Sequence, residues 1–176
     1  MAVSTGSGAA EALRAQRYRP DVLLVTWFGA GLLPGAPGTW GSLAALPFAY
    51  AIALAGGPVA LLAASAVLFP IGTFLSDRVM RRIGHADPGQ IVIDEVAAQW
   101  LSLVPVATQP MFYPVAFIAF RVFDIAKVWP VNILDRRLAG GFGVMADDTV
   151  AAIYAGSCTA LVALAFGSET CFLTIC

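Results

Sequence analysis

The chain has 176 residues, of which 59% are hydrophobic and only 12% are charged, and its formal net charge at pH 7 is -1. A soluble domain is about half apolar and about one quarter charged, so this composition favours a membrane protein over a soluble helical protein with a very apolar core. The near-neutral charge, without a basic stripe or excess, gives no support to binding of nucleic acid.

The first 20 residues are rich in alanine, serine and glycine and contain Arg14, Arg17 and Arg19. They contain no apolar h-region, so they do not form a secretory signal, and we predict a flexible basic tail over residues 1–20. The arginines favour the cytoplasmic side of a membrane. Since the chain length fits one domain, residues 21–176 are predicted to form a single helical membrane domain.

Three long segments without formal charge follow, at residues 22–76, 96–120 and 149–168. Each can contain at least one segment of about 20 apolar residues, the length that crosses a bilayer. Within the first segment, residues 43–54 and 58–75 are predicted to form a helical hairpin that turns at Gly56–Gly57. The three cysteines lack the spacing of metal ligands or of a disulfide framework, and we interpret them as small apolar residues.

Glycine and proline recur between residues 29 and 41. They interrupt a regular helix, so residues 33–43 are predicted to form an irregular loop in which Thr39 or Ser42 caps the next helix. Backbone N–H groups at the start of a helix can hold phosphate. Thr39 and Ser42 are therefore candidate phosphate-binding residues.

Three prolines break the second uncharged segment, so residues 96–120 are predicted to form two short helices joined by a bend. A single membrane crossing would leave Asp94–Glu95 and Asp124 on opposite faces, whereas a bend brings them together. Asp147–Asp148 is predicted to open a last apolar helix over residues 150–166. The fold prediction is an all-α, polytopic helical membrane bundle built from helix hairpins, with short broken helices around a carboxylate-rich site.

The acidic residues of the second half of the chain interrupt apolar sequence, where ionised groups are costly to bury. Two carboxylates about 4 Å apart repel by roughly 4 kcal/mol at an effective dielectric constant of 20, so a shared pocket requires a compensating cation. Oxygen ligands without histidine or thiolate select Mg²⁺, or Mn²⁺, over zinc. The candidate metal ligands are Asp94, Glu95, Asp124, Asp147 and Asp148.

Basic residues accompany these acids. Arg121, Asp124 and Lys127 stand at i, i+3 and i+6, which places them along one face of a helix. Cations beside a carboxylate-bound metal suit a phosphate-bearing substrate, so Arg121 and Lys127 are candidate phosphate-binding residues. The chemistry expected is metal-assisted phosphoryl transfer to water, with a carboxylate as general base and catalytic roles for Asp94, Asp124, Lys127 and Asp148.

Four motifs follow one another in a match that extends over most of residues 27–156, and they are Ala36–Leu43, Ile91–Glu95, Phe120–Lys127 and Gly140–Asp148. Together they resemble the motifs of the phosphatidylglycerophosphatase A family. The resemblance implies a bacterial Mg²⁺-dependent lipid phosphatase that converts phosphatidylglycerophosphate to phosphatidylglycerol. It also implies an all-helical fold in the inner membrane with the site facing the cytoplasm. The family's motifs mark as site positions the five acids named above and Lys127.

The residues alone also permit a cation transporter or channel, because acids within a membrane often line ion paths. Such a path predicts acids near the middle of the bilayer. Here the acids border the apolar segments and lie close in sequence to Arg121, Lys127 and Arg136, which favours a site at the membrane surface. A purely structural membrane subunit would leave the clustered acids without an explanation.

Overall fold

The computed structural model describes residues 6–86, 88–126 and 140–172, with side-chain surroundings described for residues 8–166 of those ranges. These residues contain no strand, which confirms the predicted all-α class. The helices are α1 (Gly6–Ala15), α2 (Pro20–Val25), α3 (Pro37–Ile83), α4 (Ile93–Leu103), α5 (Tyr113–Ala126) and α6 (Gly140–Phe172), with short 3₁₀ helices at Ala30–Leu32, Val104–Val106 and Pro110–Phe112.

Helix α3 is a hairpin. Gly56–Gly57 has non-helical backbone angles, with φ of -154° and 65°, and it separates the helix into two halves. A straight helix of this length would extend about 70 Å, yet both halves lie against α4. The Trp100 indole donates to the Ala45 carbonyl of the first half (3.0 Å), and Ser65 of the second half donates to the Ala97 carbonyl (2.8 Å). The predicted hairpin is confirmed.

Small residues allow α3 and α4 to pack closely. Ala45, Ala49 and Ala53 follow one another at intervals of four, so they form one stripe along the first half of α3, and all three are buried. Val96 and Trp100 of α4 are buried in the same apolar cluster. Small side chains in such a stripe let two helix backbones approach, which is typical of helix packing in membranes.

The start of α3 differs from the prediction. The helix begins at Pro37, directly after Ala36, and no side chain caps it. Proline suits the first helical position because its φ is already helical and it has no N–H group to leave unpaired. The Ser42 hydroxyl instead donates to the Gly38 carbonyl within the helix (2.8 Å). The predicted cap at Thr39 or Ser42 is therefore wrong, and the irregular segment, Leu33–Ala36, ends seven residues before the end of the predicted loop 33–43.

The predicted bend in the middle of the chain is confirmed. Helix α4 ends at Leu103, two 3₁₀ turns follow at Val104–Val106 and Pro110–Phe112, and α5 begins at Tyr113. The Tyr113 hydroxyl donates to the Ala107 carbonyl (2.7 Å), which ties the bend to the start of α5. The two helices are thereby folded beside each other.

The last helix begins ten residues before its predicted start. Helix α6 starts at Gly140, so Asp147–Asp148 lies inside it and not at its N-terminus, and the predicted position of these acids is wrong. Gly141 packs so closely in the first turn that an added Cβ would meet the Thr73 carbonyl of α3. The Gly141 N–H also donates to Asp77 Oδ1 (2.5 Å). Asp77 thereby supplies a partner for one of the N–H groups that have none within the helix in its first turn.

The N-terminal segment packs against the end of α3. Residues 6–15 of the predicted flexible tail form α1, whose Leu13 is fully buried in a cluster with Val22 and Val79. Asp21 accepts a hydrogen bond from Arg82 of α3. The basic residues of the N-terminal segment and of the end of α3 therefore lie on the same side of the molecule. The division into domains at residue 20 stays a prediction.

Two helices, Pro37–Ile83 and Gly140–Phe166, are long and apolar enough to cross a membrane. Only 17% and 28% of their most apolar windows are buried within the protein. The exposed side chains there include Leu54, Val59, Phe74, Leu161 and Leu164. Large apolar patches of this kind require a nonpolar partner, and a bilayer provides one for helices, whose backbone hydrogen bonds are satisfied internally. The fold is that of an all-α membrane protein.

Candidate metal centre and active site

Helices α4 and α6 bring acidic side chains together beside the end of α3. Asp94–Glu95 lies in the first turn of α4, where the helix dipole favours negative charge. Asp147–Asp148 lies in the third turn of α6 and faces inward. Asp94, Asp147 and Asp148 retain only 8%, 7% and 5% of their exposure to solvent. Acids this deeply buried require a positive partner.

One oxygen each from Asp94, Glu95 and Asp148 lies within 4.8 Å of the others. Two oxygens that each lie about 2.1 Å from one Mg²⁺ are at most about 4.2 Å apart, so a small side-chain adjustment would let these three ligate one ion. Asp94 Oδ1, Glu95 Oε2 and Asp148 Oδ2 are buried atoms without a hydrogen-bond partner. This donor set of carboxylate oxygens fits a hard divalent cation.

The electrostatics of α4 agree with this interpretation. Burial raises the pKa of the Asp94 carboxyl well above its ordinary value, and the negative charge of Glu95 raises that pKa further. Burial also raises the pKa of Glu95, with an added contribution from the charge of Asp124, while a hydrogen bond from Asp94 and the charge of Arg121 lower it. Both carboxyls therefore favour the ionised state only when positive charge is close.

Arg121 connects α5 to this cluster. Its Nη1 atom lies 2.7 Å from Asp124 Oδ2 and 3.9 Å from Glu95 Oε1. The side chains of Arg121 and Asp124 are each 15% exposed, so the ion pair is largely shielded from water. The predicted alignment of Arg121 and Asp124 on one helix face places both beside the acids of α4. Lys127, the third member of that face, lies outside the described residues.

A cavity of about 610 Å³ opens onto the acids. Its walls come from the end of α3, the segment before α4, and α4, α5 and α6. Among the described residues, its polar lining consists of Asp77, Arg81, His85, Asp94, Glu95, Asp124, Asp147 and Asp148. The arrangement can hold a cation and an anionic ligand in one cavity.

Sequence reasoning missed three of these lining residues, Asp77, Arg81 and His85. One signal could have found the first two: they stand four residues apart at the end of a helix, so they share one face.

The predicted phosphate-binding residues Thr39 and Ser42 are not part of the cavity wall, although the start of α3 is close to it. An added Cβ at Gly38 would meet the Glu95 carboxylate and would lie 3.1 Å from both terminal nitrogens of Arg121. The backbone at Gly38 therefore packs against two residues of the candidate site, Glu95 and Arg121.

Together, the fold and the site define a class: an all-α membrane protein with a carboxylate cluster suited to a divalent cation at the wall of a cavity. Comparison with known proteins gives the family. The profile of the family described as phosphatidylglycerophosphatase A matches residues 23–163. The chain belongs to the phosphatidylglycerophosphatase A family and is a phosphatase.

Individual relatives agree with this assignment. The chain is 38% identical over 142 residues to phosphatidylglycerophosphatase A of Escherichia coli, covering 80% of this chain and 81% of the relative. It is also 38% identical over 137 residues to phosphatidylglycerophosphatase A of Haemophilus influenzae, covering 77% of this chain and 84% of the relative.

A third relative, from Bacteroides thetaiotaomicron, is provisionally named a phosphatidylinositol-3-phosphatase. It is 36% identical over 139 residues, covering 76% of this chain and 87% of the relative. No solved structure matches the chain.

Proposed function

We propose that the protein hydrolyses the terminal phosphate monoester of phosphatidylglycerophosphate, giving phosphatidylglycerol and inorganic phosphate. The observation that carries this proposal is the convergence of Asp94, Glu95 and Asp148 within 4.8 Å at the wall of a cavity, in a chain of this family. The named activity of the relatives from Escherichia coli and Haemophilus influenzae supports the choice of lipid.

Mg²⁺ is the proposed cofactor, held by Asp94, Glu95 and Asp148 with Asp124 and Asp147 beside them. The unpaired buried oxygens of the first three residues support a cation at this position. When bound, the ion polarises phosphoryl oxygens and lowers the pKa of a water molecule. Mn²⁺ has the same preference for oxygen ligands and is the alternative metal.

The chain's own residues have three proposed tasks. A carboxylate of the cluster, Asp94, Asp124 or Asp148, accepts the proton of the attacking water. Arg121, which borders the cluster, stabilises negative charge on the phosphoryl oxygens. Lys127, three residues after Asp124 in sequence, is proposed to assist Arg121. The Ser42 hydroxyl donates to the Gly38 carbonyl within α3, and phosphate binding by Thr39 and Ser42 stays a prediction.

The protein is proposed to lie in the bacterial inner membrane, crossing it more than once, with the cavity on the cytoplasmic side. Arg78, Arg81 and Arg82 near the cavity lie on the same side as the N-terminal arginines, and positive residues favour the cytoplasmic side. Phosphatidylglycerophosphate would then enter from the inner leaflet, with its acyl chains remaining in the bilayer.

The test is phosphate release by the purified protein in lipid-detergent micelles, with phosphatidylglycerophosphate, phosphatidic acid and phosphatidylinositol 3-phosphate as separate substrates. We expect phosphatidylglycerophosphate to give the highest kcat/KM, EDTA to abolish release, and excess Mg²⁺ to restore it. Release that persists in EDTA would overturn the metal mechanism. A higher kcat/KM for phosphatidylinositol 3-phosphate would transfer the assignment to the activity named for the Bacteroides relative.

A further inference from the structure

The charged residues at the end of α3 divide into two pairs that face different partners. Arg78 and Arg82, four residues apart, both pair with Asp21. Asp77 and Arg81, also four residues apart, line the cavity instead. Residues four apart share a helix face, so one face of α3 holds the N-terminal segment and the other forms part of the cavity wall.

Arg81 is available to bind an anion. Its side chain is 73% exposed, and its Nη1 lies 3.6 Å from Asp77 Oδ2. An exposed ion pair of this length contributes little, so a ligand can displace it. Gly84 ends the helix with a φ of 72°, which redirects the chain and brings His85 to the same wall. Arginine in the last turn of a helix is also favoured by the helix dipole.

The cavity therefore has two regions, an acidic one and one in which basic residues accompany Asp77. Asp94, Glu95 and Asp148 form the acidic region suited to a cation, and Arg81 and His85 are the basic residues among its described lining. Its volume of about 610 Å³ lies within the usual range of about 300–1,000 Å³ for small-ligand pockets. A single phosphate would fill only part of that space.

Phosphatidylglycerophosphate carries two anionic groups, the terminal monoester that is removed and the diester phosphate that stays with the lipid. We infer that Arg81 binds the diester phosphate while the terminal phosphate lies at the carboxylate cluster, so that Arg81 determines specificity for a lipid with two phosphates. This inference rests on the proposed function. A guanidinium suits this task because it is permanently charged and presents paired N–H groups to phosphate oxygens.

The experiment compares Arg81→Ala and Arg81→Lys with the wild-type protein, using Arg78→Ala as a matched control. Arg78 is one turn earlier, is similarly exposed, and pairs with Asp21 instead of lining the cavity. For Arg81→Ala we expect KM for phosphatidylglycerophosphate to rise about tenfold, equivalent to about 1.4 kcal/mol, with kcat changed by less than about twofold. Arg81→Lys should retain part of the affinity, and Arg78→Ala should match the wild type.

Inorganic phosphate distinguishes the two regions of the cavity. As a product inhibitor it occupies the position of the terminal phosphate, so its inhibition constant should be the same for Arg81→Ala and the wild type. An equal rise in that constant and in KM would place Arg81 at the terminal phosphate and overturn the inference. An unchanged KM would overturn it as well. Wild-type protein that fails to hydrolyse phosphatidylglycerophosphate would instead overturn the proposed function.

Discussion

Arg121 forms an ion pair with Asp124 one turn along the same helix, with 2.7 Å between Nη1 and Oδ2. The same Nη1 lies 3.9 Å from the Glu95 carboxylate on α4. One guanidinium therefore compensates two carboxylates from two helices. Because it is largely buried, its charge acts through a medium that screens less than water.

Replacing Arg121 should strengthen Mg²⁺ binding and weaken turnover. Arg121→Gln removes positive charge beside the cluster, so the Mg²⁺ concentration for half-maximal activity should fall. At the same time kcat should fall at least about 100-fold, the lower end of the range for losing one group that stabilises transition-state charge. Titrating activity against Mg²⁺ measures both. A higher Mg²⁺ requirement would contradict the electrostatic role and would indicate that Arg121 holds the cluster's geometry.

Asp124→Asn keeps the shape of the side chain and removes its charge. We expect kcat to fall at least about 100-fold, the typical contribution of a group that acts in proton transfer. The variant should still fold, since Asn can accept a hydrogen bond from Arg121. Phosphate release and thermal unfolding are the measurements. Asp21→Asn is the control for phosphate release because Asp21 belongs to an ion-pair group that is not part of the cavity wall. Normal kcat in Asp124→Asn would remove Asp124 from the catalytic machinery.

Gly38→Ala tests the close approach of α3 to the site. The added methyl group would press on the Glu95 carboxylate and on Arg121, and neither can retreat without disturbing the cluster. We expect activity to fall at least tenfold, with a destabilisation of about 1–3 kcal/mol typical of overpacking.

Gly72→Ala provides the comparison. Its added Cβ would lie 2.7 Å from the sulfur of Met145, a flexible side chain that can shift aside. Activity and the midpoint of thermal unfolding should therefore change less than in Gly38→Ala. Equal losses in the two variants would show that the site does not depend on the close approach at Gly38.

Asp21 should make stability depend on pH. Its hydrogen bond from Arg82 lowers the pKa of Asp21 below its ordinary value. Its stabilising effect is therefore fully present above the pKa of the unfolded state, about 3.9, and is lost as the pH falls through the lower pKa of the folded state. The free energy of unfolding of wild type minus that of Asp21→Asn should be positive near pH 7 and should shrink below about pH 4. A difference that stays constant across this range would contradict the ion-pair explanation.

Much of the fold followed from local rules. The turn at Gly56–Gly57 was predictable because consecutive glycines before a proline break a helix, and the bend between α4 and α5 was predictable from its prolines. The starts of α3 and α6 were not. Gly38 and Gly141 suggest a loop by their intrinsic preference, but each lies in a helix where a neighbouring group leaves no room for a Cβ. Local propensity contains no information about such neighbours.

By itself, the sequence determined the membrane class, the helical hairpin and the acidic residues of the candidate site. Uncharged segments, helix breakers and isolated carboxylates can be recognised from the order of the residues alone. Only the tertiary structure decided that Asp77, Arg81 and His85 share a cavity with those acids. Their position depends on which face of α3 turns toward α6. That orientation is set by contacts distant in sequence, namely Asp21 with Arg78 and Arg82 on one face and Asp77 with Gly141 on the other.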